Sequence, residues 1–162
     1  MILITGGERS GKSTYALELA LSKGSRRAFI ATAEAFDDEM RLRIRHHKEE
    51  RGSRFETVEE PVEIAGAVKR LSSYDAVIID CMTTWLGNLL YYKRDIIAMR
   101  DELLAALSGN EIIVTNEVGM GIIPLEATTR TYVEELGRLN AALARKADHV
   151  VFMVAGLPLT VK

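Results

Sequence analysis

The sequence predicts an α/β fold in which a mainly parallel sheet is covered by helices on both faces. Short apolar runs alternate with longer segments of helical periodicity along the whole chain. The apolar runs are rich in valine and isoleucine, as is typical of strands that are buried on both faces. Because parallel strands must be joined by crossover connections, this alternation indicates a three-layer arrangement with helices on either side of the sheet.

Five apolar runs are predicted as strands, and five intervening segments are predicted as helices. The strands are Ile2–Thr5, Ala28–Ala33, Ala76–Cys81, Ile112–Asn116 and Val150–Ala155. The helices are Ser13–Lys23, Asp37–Arg51, Pro61–Ser72, a stretch from Thr84 to Leu107, and Glu126–Lys146. Pro61 suits the first turn of its helix, because its fixed backbone angle is helical and its missing N–H needs no partner there. No repeat or linker divides the chain, which predicts one domain over residues 1–162.

Composition narrows the possible functions. A chain of 162 residues is long enough for one domain with a substantial core. The net charge is −2 and the basic residues are scattered, which argues against a nucleic-acid partner, because such proteins usually carry a basic stripe. No apolar run approaches the roughly 20 residues of a membrane span. The single cysteine, Cys81, suits a reducing compartment. A first strand at the very start leaves no room for a signal peptide, so we expect a cytoplasmic protein.

The segment after the first strand fits the phosphate-binding pattern G-x-x-x-x-G-K-[ST]. Its residues are Gly6, Gly7, Glu8, Arg9, Ser10, Gly11, Lys12 and Ser13. A strand precedes it and a helix follows, which is the context that separates a P-loop from a chance match. Glycines let backbone N–H groups turn onto phosphate oxygens, and the helix start attracts the same anion. Lys12 is expected to reach the β- and γ-phosphates and Ser13 to bind Mg²⁺. The alternative is a glycine turn that only caps a helix.

Other polar residues follow the predicted strands, where ligands of parallel sheets gather. Asp80 ends the third apolar run, and an acid at this place is the usual second anchor of Mg²⁺ in a P-loop site. The alternative for Asp80 is a cap on the next helix. Thr32 and Glu34 follow the second strand, where they either contact a nucleotide or form a turn. The segment Asn116–Gly119 follows the fourth strand.

The predicted helix Asp37–Arg51 is densely charged and holds two of the three histidines. Its protein-facing stripe is marked by apolar residues that recur every four positions, namely Phe36, Met40 and Ile44. At about 100° per residue, His47 lies about 20° from Met40 on the helical wheel, whereas His46 lies about 120° away. The periodicity therefore predicts that His47 faces the protein and that His46 faces outward.

His47 has an arginine four residues away on either side, Arg43 and Arg51. A histidine between arginines can meet a phosphate, where it donates hydrogen bonds or, in its neutral form, attacks phosphorus as a nucleophile. Two other interpretations stay open from spacing alone. His47 could be a satisfied core histidine, and the segment could be a solvated helix with charge pairs four residues apart.

Ordered blocks of sequence, rather than the P-loop alone, carry a family resemblance. They include Thr5–Ser13, Phe29–Ala33, Asp38–Met40, Arg43–Ile44 followed by His47 and Arg51, Asp80–Leu90, Thr115–Pro124 and Ala155–Leu159. In these blocks the chain resembles the bifunctional adenosylcobinamide kinase / adenosylcobinamide-phosphate guanylyltransferase family of cobalamin biosynthesis. Glu8 stands where that family often has alanine. The match runs almost from end to end.

The resemblance implies two reactions. A nucleoside triphosphate first phosphorylates the aminopropanol hydroxyl of adenosylcobinamide, and GTP then transfers GMP onto that phosphate with release of pyrophosphate. It also implies a RecA-like P-loop NTPase fold, Mg²⁺, ATP or GTP as substrate, a corrinoid partner and assembly as a trimer.

The resemblance also implies roles for particular residues. The family's histidine, which carries GMP as a phosphoramidate, maps to His47, so that His47 and Lys12 are the expected catalytic residues. Ser13 and Asp80 are the expected metal ligands. Nucleotide contacts are implied along Gly6–Ser13 and at Ala31, Thr32, Ala33, Lys48, Glu49, Glu50, Arg51, Glu59 and Asp80.

Two other functions stay open at this point. One is a small-molecule kinase with a P-loop and a single reaction, which predicts no covalent nucleotide. The other is a RecA-like nucleic-acid or assembly module that uses nucleotide binding as a switch. It predicts strongly salt-dependent nucleic-acid binding, which the mild negative charge disfavours.

Overall fold

The computed structural model describes residues 1–35 and 37–162, with the side chains of residues 43 and 50 left out of the description. Within these residues, seven strands form one sheet. They are β1 (Ile2–Gly6), β2 (Arg27–Ala31), β3 (Glu56–Glu59), β4 (Ala76–Asp80), β5 (Glu111–Val114), β6 (His149–Val154) and β7 (Leu157–Thr160). Their order is β3-β2-β4-β5-β1-β6-β7, and every neighbouring pair is parallel except β6 and β7.

Six α-helices connect these strands in the described part of the chain. They are α1 (Lys12–Leu21), α2 (Asp38–Arg51), α3 (Ile64–Arg70), α4 (Met82–Tyr91), α5 (Ile96–Ala106) and α6 (Ala127–Lys146). A single 3₁₀ turn, Gly52–Arg54, follows α2. The mainly parallel α/β fold predicted from the sequence is therefore confirmed.

The core consists of two apolar layers, one on each face of the sheet. Successive side chains of a strand point to opposite faces. In β4, Val77 and Ile79 accordingly join the layer under α3 to α6, whereas Ile78 joins the layer under α1. All three are at most 1% exposed, as a strand covered on both faces requires. Burying a side chain of this size contributes roughly 1.5–3 kcal/mol, so both layers hold the strand ends in place.

The two edge strands β3 and β7 are absent from the sequence-based prediction. Glu56–Glu59 is short and polar, and Leu157–Thr160 contains Pro158 and is exposed at every residue. Neither strand shows the long apolar run that marks the buried strands, and proline is tolerated in a sheet only at an edge. Both strands are held by pairing with β2 and β6, which a local pattern does not reveal.

Two predicted helices differ from those observed. The stretch from Thr84 to Leu107 is two helices, because Asp95 starts α5 by accepting the N–H groups of Ile97 and Ala98 at 3.0 Å each. The helix expected from Pro61 begins only at Ile64. The residues before it form a turn in which Glu60 Oε1 accepts two backbone N–H groups, those of Val62 and Glu63.

Candidate active site

The P-loop connects β1 to α1 with a backbone that its glycines make possible. Gly6 has a φ of +149° and Gly11 a φ of +93°, and Arg9 between them is also left-handed at +55°. A Cβ at Gly6 would lie 2.5 Å from the carbonyl oxygen of Met153, so no side chain fits there. Among the described residues no side chain caps the start of α1. Its first N–H groups therefore point to an anion site.

Lys12 folds back across this loop. Its Nζ donates to the carbonyl oxygen of Gly7 at 2.5 Å and lies 3.5 Å from Ser10 Oγ. The residue is only 7% exposed. The ammonium group thus lies within the phosphate loop, next to the N–H groups that would hold an anion.

Asp80 ends β4, and charges from both the P-loop and helix α2 act on it. Ser13 is close enough to influence its carboxyl group, so the two predicted metal ligands are neighbours. Loss of solvation raises the pKa of Asp80, while the Ser13 hydroxyl and the charges of His47, Arg51 and Lys12 act to lower it. The residue at the start of α4 is Cys81, and no side chain of the described residues caps that helix. The alternative role of Asp80 as a helix cap is therefore wrong.

Helix α2 carries both candidate histidines. Asp37 Oδ1 starts the helix by accepting the N–H of Met40 at 2.7 Å. Met40 and Ile44 are half-buried, in agreement with the predicted inward stripe, whereas His46 and His47 are both exposed. The prediction that His47 faces the protein is therefore wrong, as is its interpretation as a core histidine, whereas the outward position predicted for His46 is confirmed. The charge of His47 nevertheless acts on Asp80.

Two predictions about α2 lie outside the described residues. Phe36, which belongs to the predicted stripe, is one, and the flanking side chain of Arg43 is the other. The side chain of Glu50, a predicted nucleotide contact, is likewise outside the description. Glu49 is exposed on the helix.

The end of α2 is anchored to the sheet by two cationic side chains. Arg51 is 5% exposed and its guanidinium lies 3.9 Å from the ring centroid of Phe29 in β2. Lys48 Nζ pairs with Glu59 Oε1 of β3 at 2.9 Å. Ala31 of β2 is in register with Glu59 on one side and with Asp80 on the other. The predicted residues of three strand ends and α2 are thus brought together.

The side chain of Thr32 makes hydrogen bonds within the protein. It is fully buried, and its Oγ1 accepts the N–H of Cys81 at 2.8 Å and lies 2.9 Å from Thr84 Oγ1. Its carbonyl oxygen accepts from Asn88 Nδ2 at 2.8 Å. These bonds hold the connection between β4 and α4, so Thr32 fixes the backbone beside Asp80. Ala33 follows it half-buried.

A polar network beside the P-loop joins two sequence-based candidates, Glu8 and Asn116, to three residues that the site prediction did not include, Thr83, Thr115 and Asn140. Glu8 Oε2 accepts from Asn116 Nδ2 at 3.1 Å, and the Asn116 N–H donates to Thr83 Oγ1 at 2.9 Å. Asn140 Nδ2 donates to the Asn116 carbonyl at 3.0 Å, and its Oδ1 accepts from Thr115 at 2.8 Å. A buried asparagine within the apolar stripe of α6 was the available signal, because buried amides need partners.

The phosphate loop, the strand-end acid and the parallel sheet together define a RecA-like P-loop NTPase. The structure is similar to the crystal structure of the RadB recombinase, with a TM-score of 0.51 and 19% identity over 93% of this chain and 72% of that chain. It is also similar to the flagellar accessory protein FlaH from Methanocaldococcus jannaschii, with a TM-score of 0.52 and 14% identity over 99% and 77%. At these identities the likeness shows the fold alone.

Sequence relatives identify the family. A family model described as cobinamide kinase / cobinamide phosphate guanyltransferase (CobU) matches residues 2–161. The bifunctional adenosylcobalamin biosynthesis protein CobP of Pseudomonas aeruginosa is 40% identical over 99% of this chain and 96% of its own length. The proteins named CobU from Salmonella typhimurium and Escherichia coli are 35% and 34% identical, each over 100% of this chain and 99% of their own. The chain therefore belongs to the cobinamide kinase / cobinamide phosphate guanyltransferase family, whose members are bifunctional enzymes of adenosylcobalamin biosynthesis.

In the part of the chain that the structure describes, no helix has the length and apolar character needed to cross a bilayer.

Proposed function

We propose that this chain catalyses both family reactions at one nucleotide site. In the first, a nucleoside triphosphate phosphorylates adenosylcobinamide, and in the second GTP gives GMP to the resulting phosphate through His47. The observation that carries the proposal is the convergence on Asp80 of Ser13 and Lys12 from the P-loop and of His47 and Arg51 from α2. The P-loop, which would hold the triphosphate, and His47, which would act as the nucleophile, therefore both act on the same carboxylate.

For the kinase step, the chain supplies alignment and charge. Phosphoryl transfer needs little covalent help, because its transition state is stabilised mainly by positioning and by neutralised charge. Lys12 and the loop N–H groups would hold the β- and γ-phosphates. Ser13 and Asp80 are adjacent oxygen donors, which suit Mg²⁺, and the bound ion would neutralise charge on the same phosphates.

For the guanylyl step, the chain supplies a nucleophile. A neutral imidazole nitrogen of His47 would attack the α-phosphorus of GTP, so that the bond to the β-phosphate oxygen breaks and pyrophosphate leaves. The phosphate of the corrinoid would then attack the same phosphorus and release His47. Arg51, which acts on the same Asp80 carboxylate as His47, would stabilise the charge of the α-phosphate.

The test is covalent labelling with GTP and Mg²⁺ in the absence of corrinoid. Label from α-labelled GTP should stay on the denatured chain, with the acid-labile and alkali-stable behaviour of a phosphoramidate, and γ-labelled GTP should leave none. His47→Ala should abolish this label and guanylylation while much of the kinase activity remains. The matched variant His46→Ala should be labelled like the parent. Label on His47→Ala would contradict the assignment.

Further features belong to the same proposal. We propose one catalytic domain over residues 1–162, a cytoplasmic protein without nucleic-acid partners, and ATP or GTP as the phosphoryl donor.

We also propose a trimer, for which exposed apolar side chains give support. Met120, Ile122, Ile123 and Leu125 are 77–99% exposed, and such surface usually marks an interface. Light scattering on the eluting protein should give three chain masses of 18.0 kDa.

A further inference from the structure

A groove runs along α4 and is closed on one side by α6. Its volume is about 680 Å³, and it is lined by Thr83, Thr84, Gly87, Asn88, Tyr91 and Tyr132. We propose that this groove binds the corrinoid acceptor, with the aminopropanol arm directed to the P-loop. The proposal rests on the proposed function, because it assigns the second substrate of the same site.

Hydrogen bonds connect the groove to the P-loop. Thr83 lies three residues after Asp80 and lines the groove. Its Oγ1 accepts from the backbone of Asn116, whose side chain donates to Glu8 of the P-loop. Two hydrogen bonds thus connect the wall of the groove to the loop. An acceptor held there would present its hydroxyl or phosphate to the bound nucleotide.

The chemistry of the lining also supports the proposal. All six residues that line the groove are uncharged, so the groove is unsuited to a second triphosphate or another strongly charged ligand. Two tyrosine rings and a glycine leave apolar surface, and threonine and asparagine add hydrogen-bonding groups. A corrinoid offers the same combination, an apolar ring edge with carboxamide arms. The volume lies in the usual range for small-molecule sites, and the open shape would leave the rest of the corrinoid in water.

The polar groups of the groove are held in place by hydrogen bonds within the protein. Asn88 is 4% exposed, and its Nδ2 donates to the carbonyl oxygens of Thr32 and Pro61 at 2.8 and 3.0 Å. That pair of bonds leaves its Oδ1 to accept from a ligand amide. Tyr132 donates its hydroxyl to the Thr83 carbonyl at 3.0 Å. Such fixed groups favour binding, because little side-chain freedom is lost.

The test fills the groove without disturbing the nucleotide site. A Cβ at Gly87 would meet no atom within 4 Å, so Gly87→Leu places a side chain in the groove without a clash at that carbon. Gly137 on α6 is a matched control, because its Cβ would also meet no atom within 4 Å and it does not line the groove. We expect Gly87→Leu to raise the KM for adenosylcobinamide and for its phosphate at least tenfold. Gly137→Leu should behave like the parent.

Labelling by GTP alone separates this proposal from the function on which it rests. It needs no corrinoid, so Gly87→Leu should be labelled at the parental rate. Unchanged corrinoid KM values, a loss of labelling, or a changed molecular mass in Gly87→Leu would each overturn the groove assignment. A parent chain that takes no label would overturn the proposed function instead. Equilibrium dialysis with adenosylcobinamide would then still test the groove.

A second variant keeps the test decisive if Gly87→Leu does not fold. Tyr132→Phe keeps the ring and removes the hydrogen bond to Thr83, so Tyr132 is tested as a positioning residue. We expect a several-fold higher KM for the corrinoid, an unchanged KM for GTP and a normal rate of labelling. A fall in kcat alone, or an equal effect on both substrates, would argue against the groove.

Discussion

The P-loop Gly6–Ser13 and helix α2 meet at Asp80, yet the chain holds them in different ways. The loop follows a central strand, and its key lysine is 7% exposed. Helix α2 contacts the outer strands β2 and β3 at its end, and its described residues are mostly exposed. Arg51 against Phe29 and Lys48 with Glu59 are two of the contacts that attach it. The P-loop is therefore supported by the core, whereas the helix that carries the proposed nucleophile is attached to the sheet by side-chain contacts such as these.

This difference predicts which substitutions should affect both reactions and which should affect mainly one. Both reactions need the triphosphate, so a change in the loop should affect both. In the proposed mechanism only the guanylyl transfer needs His47, so a change in the residues that anchor α2 should affect that reaction more than the kinase reaction. The four predictions below sharpen this difference in order of expected effect.

Lys12→Ala should have the largest effect. It removes the cation that would neutralise the β- and γ-phosphates, and losing one such group commonly costs about a hundredfold or more in rate. We expect kinase turnover and covalent labelling to fall together, as measured with γ- and α-labelled GTP. Lys23→Ala, which changes an exposed lysine just after α1, is the control and should act like the parent. An effect on only one reaction would argue against a shared cradle.

Asp80→Asn should impair both activities at least tenfold but stabilise the ligand-free protein at neutral pH. Burial raises the folded-state pKa of Asp80 above the unfolded value, so its ionised form costs folding free energy as the pH rises. The amide removes that cost. We expect a higher Tm than the parent at pH 7 and no advantage below an unfolded pKa of about 3.9. A Tm lowered at pH 7 and unchanged in acid would contradict this sign.

Arg51→Met should weaken guanylyl transfer more than phosphorylation. Methionine can fill the space over Phe29 but lacks the charge that acts on Asp80. We expect the labelling rate to fall about tenfold, with a loss of roughly 0.5–2 kcal/mol of stability in urea unfolding. Arg45→Met removes an exposed arginine from the same helix and should change neither quantity. Equal losses in both reactions would mean that Arg51 supports triphosphate binding, as the P-loop does, rather than guanylyl transfer in particular.

The Lys48–Glu59 pair should have the smallest effect. Both side chains are more than half exposed, and such ion pairs contribute about 0.2–1 kcal/mol. In a double-mutant cycle of Lys48→Met and Glu59→Gln, we expect a coupling energy in this range at low salt that is lost at 1 M salt. A larger coupling that persists in salt would mean that α2 is fixed more firmly than its exposure indicates.

The features that the sequence could predict are mostly those set by residues close together along the chain. The P-loop depends on residues that are neighbours along the chain, so its glycines, Lys12 and Ser13 are recognisable in the linear pattern. The placement of Asp80 follows from the rule that ligands lie beyond the carboxyl ends of parallel strands. The period of α2 also predicts the half-buried positions of Met40 and Ile44, because helical geometry is local, but it wrongly predicts that His47 faces the protein.

The features that could not be predicted depend on contacts between distant segments. The action of His47 on Asp80 brings together α2 and the end of β4, and Arg51 of α2 stacks on Phe29, which is 22 residues away in sequence. Thr32 follows a strand like a ligand contact, yet its hydroxyl is used by Cys81 and Thr84. Edge strands β3 and β7 are similarly defined by their neighbours rather than by their own composition.

The most direct test asks whether the loop and the helix of one and the same chain form the site. Lys12→Ala and His47→Ala chains are co-expressed, isolated together through different tags, and incubated with α-labelled GTP. Because Lys12 and His47 act on Asp80 within a single chain, we expect no covalent label in the mixed assembly. Parent chains mixed with His47→Ala chains should carry label in proportion to the parent share. Label restored by mixing the two variants would show that the cradle and the histidine come from different chains, and would contradict the account.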